Sequence, residues 1–208
     1  MITRTENSNF FLPFLWRMPG KAVYLTFDDG PDPDHCNRIL DILKRYRIQA
    51  TFFVIGEKTE KHPDLVERML AEGHTVGNHS YTHPHLMGKT KEIIRREIEK
   101  TDRAIQQITG KKPCLFRPPY GQFGLALLQV LKATGHRLVL WNKSVKDYKK
   151  HTNASTISKR LNTAHSGQIV LLHDGHKNSS ITATALELTL EHVMQSGIRF
   201  APLNEKDC

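Results

Sequence analysis

Cysteine is scarce and scattered: the 208 residues hold three, Cys36, Cys114 and Cys208, with no CxxC pair. An odd, dispersed set is neither a disulfide framework nor a zinc ribbon. A chain without disulfides is expected, suited to a reducing compartment or to export without them. Long apolar runs are missing as well. The stretch from Phe10 to Trp16 is broken by Pro13 and is too short to span a bilayer. It also lacks the basic start and small-residue cleavage site of a signal peptide, so the compartment stays open. The glycines form neither GxGxxG nor GxxxxGK[ST], which excludes the common nucleotide-phosphate loops. Acidic charge is in deficit, 21 Asp+Glu against 30 Lys+Arg, for a net +9. That balance favours an anionic partner, or no more than a basic surface. Nucleic-acid binding needs a clustered basic face. Here the cations are scattered, with mild concentrations at 89–103 and 143–150, so no nucleic acid is expected.

What is present is an alternation. Apolar, β-branched and aromatic runs occur at 22–27, 50–55, 74–78, 114–118, 136–141, 168–173 and 198–203. Between them lie segments of helical spacing. One is 34–47, with Ile39, Leu43 and Tyr46 on one stripe; another is 62–73, stopping at Gly73; a third is 89–110, with Ile94, Ile98 and Ile105 aligned. Two more end at Gly135 and Gly197. Strands alternating with helices predict an α/β fold around a mostly parallel sheet. About seven parallel strands in one domain favour a closed or nearly closed barrel. The first 20 residues read as an N-terminal extension, with one domain over 21–208.

In such barrels chemistry collects at the C-terminal strand ends. Those ends carry Asp28 and Asp29, then His79 and His83, then Arg117 to Gly121, then Trp141 to Tyr148, then His173 and Asp174. In 79-HSYTH-83, two histidines four apart can face one metal from a helical turn or a tight loop. Alone, the pattern is as often a pair of surface histidines, and Ser80 stands where a zincin needs its Glu. A third ligand must come from elsewhere, and a carboxylate at the end of the first strand is the natural donor. Two adjacent carboxylates repel and raise each other's pKa. A divalent cation removes that penalty for one and leaves the other free as a base. The competing reading of 28-DD-29 is a cap for the following helix.

Together these stretches resemble the polysaccharide deacetylases, the NodB-homology group also called carbohydrate esterase family four. The family's TFDDGP stands at 26–31, its H-[ST]-x-x-H at 79–83, its R-x-P-[YF]-G as 117-RPPYG-121 and its LxH as 171-LLH-173. The likeness runs over about residues 20–203. Its D-x-x-D-W is altered to 144-SVKDY-148, with Ser144 for the first Asp and Tyr148 for the Trp. The resemblance implies a distorted (β/α) barrel, with 21–208 as the catalytic domain. It implies Asp29, His79 and His83 as ligands of a divalent metal, usually zinc, with cobalt possible. Asp28 becomes the general base and Arg117 the group that orients it. His173 becomes the general acid, held by Asp147. Tyr120 supplies an oxyanion donor through its N–H, and Leu171 and Tyr148 line the acetyl pocket, with Pro119 and Trp141 beside them.

The implied activity is metal-dependent removal of N-acetyl groups from N-acetylglucosamine units of peptidoglycan or chitin-type oligomers. An O-acetyl esterase acting on xylan and a non-catalytic glycan-binding module are the rivals. A glycan partner, no membrane span and, with oligomeric state open, a monomer are the expectations. His74 reads as structural or supporting. His85, His176 and Asp174 have no role in the family's motifs. The run 143–150 reads as a solvated loop or as a rim that touches substrate.

Overall fold

The computed structural model describes residues 14–203. Most of the expected N-terminal extension, and Cys208, fall outside them. Nine strands form one sheet. The seven expected runs hold β2 (Ala22–Asp28), β3 (Thr51–Val54), β4 (Thr75–Asn78), β5 (Leu115–Phe116), β6 (Arg137–Val139), β8 (Ile169–His173) and β9 (Arg199–Phe200). Two very short strands are added, β1 (Phe14–Leu15) and β7 (Lys143–Ser144). The order is β1-β6-β5-β4-β3-β2-β8-β7, with β9 paired to β2, and every strand pair is parallel. Between the two ends of that order an antiparallel bridge joins Arg17 to Gln168. The result is a distorted (β/α) barrel.

The helices are α1 (Cys36–Arg45), α2 (Gly56–Lys61), α3 (Pro63–Ala71), α4 (Lys91–Thr109), α5 (Leu125–Thr134), α6 (Ala154–Leu161) and α7 (Ser179–Gln195). Thr90 caps α4 by accepting from the Ile93 N–H, and Gly110 and Gly135 end α4 and α5 in the left-handed conformation. No helix among the described residues is long and apolar enough to cross a membrane.

Alternation along the strands sorts the side chains. Val23, Leu25 and Phe27 of β2 join Ile39 and Leu43 of α1 and Leu186 of α7 in the main core. Phe27 stacks on Phe52 at 5.0 Å. The intervening positions belong to the barrel interior, where Tyr24 packs with Phe53, Leu115, Val139 and Ile169. Asp28 closes that inner row at the strand end. In the register, Asp28 pairs with His173 of β8 on one side and Phe53 of β3 on the other. The sheet thus places the expected base and acid on neighbouring strand ends.

Cys114 is disulfide-bonded, which corrects the expectation of a chain without disulfides. Spacing in sequence does not decide which thiols meet after folding. Cys36 remains free and fully buried.

Candidate active site

The doublet sits where β2 stops. Asp28 is its last residue, and Asp29 turns the chain with φ 75° before the cis Gly30–Pro31 bond. A left-handed non-glycine residue carries a conformational cost of about 1–3 kcal/mol, tolerated where surroundings enforce it. Among the described residues Asp29, Ser80, His83, Tyr120 and Lys146 all share this conformation, in the loops that follow the strands at this end. A Cβ on Gly30 would collide with the Asp174 carboxylate, and one on Gly175 with the Asp29 carbonyl. The 28–30 and 174–175 turns are therefore locked together. The capping alternative fails: α1 is preceded by His35 and has no side-chain cap.

Arg117 is fully buried beneath the doublet. Its Nη1 donates to Asp28 Oδ1 at 2.8 Å and to Thr26 Oγ1 at 2.7 Å. Nη2 donates to the Leu140 carbonyl at 3.1 Å, and the guanidinium lies 4.2 Å from the Phe53 ring centroid. A guanidinium so constrained gives the Asp28 carboxylate one orientation.

The HSYTH stretch is a tight loop after β4, not a helical turn, with Ser80 at φ 66° and His83 at φ 57°. His79 Nδ1 lies 2.7 Å from the Arg117 carbonyl oxygen. A ring nitrogen facing a carbonyl carries the proton, so Nε2 keeps its lone pair. His79 Nε2 and His83 Nε2 lie 3.5 Å and 3.2 Å from Asp29 Oδ1. The ligand atoms of Asp29, His79 and His83 all fall within 4.8 Å of one another. Burial, then the neighbouring His79, pushes the His83 pKa down to about 4, which leaves it neutral. Burial alone would raise the Asp29 pKa, but the imidazoles of His79, His173 and His83 around it take it far below the usual carboxylate range. An ionised carboxylate with imidazole lone pairs is the donor set a divalent cation takes, and these residues fit one.

Helix α4 braces this loop. Asn78 donates to the Ile98 carbonyl at 2.9 Å and to Asp102 at 2.7 Å, while its Oδ1 accepts from Ser80 N at 2.8 Å. Glu97 accepts from the Tyr81 and Thr82 N–H groups, both at 2.9 Å.

His173 ends β8. Its Nδ1 lies 2.8 Å from Asp147 Oδ1, and its N–H donates to Asp147 Oδ2 at 2.8 Å. Thr182 holds that second oxygen at 3.0 Å. Burial lowers the imidazole pKa, but the Asp147 hydrogen bond and charge, with Asp28 and Asp29 behind them, raise it to about 9. Tyr148 meets the ring edge-on at 5.6 Å.

These groups surround one cavity of about 520 Å³. Of the expected residues, Asp28, Asp29, His79, His83, Tyr120, Trp141, Tyr148, Leu171 and His173 line it. Arg117, Asp147 and Pro119 do not reach it and stand behind the wall. Two lining residues had been given no role of their own. Gly121 is needed because a Cβ there would sit 2.6 Å from the Trp141 ring. His176 lines the cavity with its ring 5.8 Å from that of His173. Its spacing of three from His173 was the only available signal. His85 stacks on Tyr120 at 3.9 Å. A larger cavity of about 660 Å³ opens by the starts of β4 and β5, where His74 lies. It holds no comparable grouping of acids and histidines, so the chemistry belongs to the smaller one.

The family model for polysaccharide deacetylase matches residues 17–139. The chain belongs to the polysaccharide deacetylase family. It is 36% identical over 194 residues to a peptidoglycan-N-acetylglucosamine deacetylase of Bacillus cereus, covering 91% of each chain. It is 38% identical over 163 residues to the peptidoglycan-N-acetylmuramic acid deacetylase PdaC of Bacillus subtilis, covering 78% of this chain and 34% of that one. The crystal structure of the Bc1960 peptidoglycan N-acetylglucosamine deacetylase superposes with a TM-score of 0.87 at 33% identity, covering 92% and 91% of the two chains. Members of this deacetylase family are metal-dependent, in keeping with the Asp29, His79 and His83 cluster.

Proposed function

We propose that this polysaccharide N-deacetylase hydrolyses the N-acetyl groups of N-acetylglucosamine units in peptidoglycan, with zinc as its cation. The single observation that carries the reading is the placement of Asp28 and His173. They are register partners on β2 and β8, and both face the cavity that holds the Asp29, His79 and His83 cluster. A base, an acid and a cation site in one cavity are what amide hydrolysis needs. Water must add to the carbonyl, and the amine must leave protonated.

Asp29, His79 and His83 would hold the cation, which supplies Lewis acidity and brings the pKa of water down to about 7. Asp28, oriented by Arg117, takes the proton of the attacking water. The Tyr120 N–H donates to the oxygen that gains charge as the carbonyl becomes tetrahedral. His173, charged below about pH 9, gives its proton to the leaving nitrogen as the C–N bond breaks, releasing acetate and a free amine. Each proton transfer contributes about 10²–10⁴-fold. Leu171, Tyr148 and Trp141 exclude water around the acetyl methyl.

The test is acetate release by the zinc-reconstituted protein from peptidoglycan, chitooligosaccharides and acetylxylan. Release from peptidoglycan above the other two is expected. Release from acetylxylan alone would overturn the N-deacetylase reading in favour of an O-acetyl esterase.

A further inference from the structure

Across the loop that carries Asp147 and Tyr148 lies a further, smaller cavity of about 280 Å³. It is lined by Lys149, Lys150, His151, Thr152, Thr156 and Arg160. No acidic side chain lines it, and among the described residues none of its cations forms an ion pair. Arg160 spends one nitrogen on the Val145 carbonyl, at 2.7 Å, and the rest of its fork is uncommitted. Thr152 Oγ1 is buried without a hydrogen-bond partner. The positive field is felt nearby as well, since burial and the Arg160 charge lower the Lys143 pKa.

Consecutive residues of one loop line the two cavities. Tyr148 lines the catalytic one and Lys149 the basic one. Asn178 Nδ2 fixes the loop between them, donating to the Asp147 carbonyl at 2.8 Å and to the Lys149 carbonyl at 3.0 Å. An anion seated at Lys149 is therefore close to a sugar seated at Tyr148.

We propose that this basic cavity binds a carboxylate of the peptide stem borne by a peptidoglycan strand whose acetylated sugar occupies the catalytic cavity. The inference rests on the deacetylase reading above and adds to it a means of discrimination. A guanidinium fork and lysine ammonium groups match a carboxylate. A neutral oligomer offers them nothing. Charges at such a rim act mainly on encounter and selectivity.

The test compares kcat/KM for acetate release from intact peptidoglycan strands, from strands stripped of stems by an amidase (which leaves the lactyl carboxylate), and from chitotetraose. In the variant Lys149→Gln/Lys150→Gln, activity on intact strands should fall about three- to tenfold relative to the other two substrates, mainly through KM. Arg160→Lys, which keeps the charge but loses the fork, should show a smaller loss of the same selectivity. Equal loss on intact and stripped strands, or on all three substrates, or no loss on any, overturns the stem site. Absence of acetate release by the unaltered enzyme from every substrate instead overturns the deacetylase reading, and the stem site with it.

Discussion

At the scale of single residues, the adjacent Asp28 and Asp29 are told apart by their surroundings. Asp28 has a buried guanidinium at 2.8 Å, whereas Asp29 has His83 Nε2 at 3.2 Å. Asp29→Asn should lose metal and activity together. Asp28→Asn should keep metal and substrate binding yet lose at least about 10²-fold in kcat, because an amide cannot accept the water proton. Metal content and kcat on both variants decide the assignment; retention of metal by Asp29→Asn with loss in Asp28→Asn would reverse it. The His173 pair gives a signed pH effect. Its folded pKa is raised, to about 9, so the acid form is present below that value and lost as pH rises through it. Asp147→Asn removes the negative charge that helps raise it, so the alkaline limb of kcat should move to lower pH. A limb that stays in place removes Asp147 from the role. The acidic pair was legible in the sequence as two carboxylates at a strand end, whereas the roles of His173 and Asp147 came from the family resemblance. The roles of His176 and Asn78 were legible in neither way. Imidazoles and amides occur in loops for many reasons, and only packing shows that one lines the cavity and the other bonds three separate groups.

At the scale of elements, β4 and α4 act as a unit. Asn78 ends the strand, yet its side chain reaches Ile98 and Asp102 on the helix and Ser80 in the ligand loop. Asn78→Ala removes one donor from the Asp102 carboxylate, which keeps His136 Nε2 at 3.0 Å, and leaves the Ser80 N–H without its acceptor. It should lower stability by about 1–3 kcal/mol and also weaken metal binding, since Ser80 lies next to His79. Thermal unfolding of the metal-free protein and a competitive metal titration separate the two effects. Unchanged metal affinity with reduced stability would make Asn78 structural only. The long helices and core strands were readable because 3.6- and 2-residue periods had room to repeat. β1, β5, β7 and β9 have two residues each, and of these β5 and β9 were read only because they lie within the longer apolar runs 114–118 and 198–203. Helix α2, GEKTEK, buries only Gly56 and Thr59, so it carries no apolar stripe to detect. Helix α6 begins in 152-TNAST-156, which reads as loop until Asn153 is seen to cap Thr156.

At the scale of the whole molecule, the cation site draws its ligands from two separate loops. Asp29 follows β2, and His79 and His83 follow β4, with β3 between them in the sheet. Ligation therefore cross-links two loops held in left-handed conformations at Asp29, Ser80 and His83. A cation bound to the folded state alone stabilises it by about 2.7 kcal/mol at a free concentration one hundred times Kd. For a domain of this size that corresponds to a rise in Tm of about 5–10 °C. Zinc added to chelated protein should produce it, and Asp29→Asn should respond little or not at all. Asp28→Asn should respond like the unaltered chain, because its carboxylate is held by Arg117 rather than by the cation. This readout needs no substrate, so it tests the cation site independently of which glycan is cleaved. A Tm indifferent to zinc in the unaltered protein would mean that the three side chains converge without binding metal. The observed closeness of the Asp29 carboxylate to two imidazoles would then be a histidine–carboxylate cluster, and hydrolysis would have to proceed through Asp28 and His173 alone.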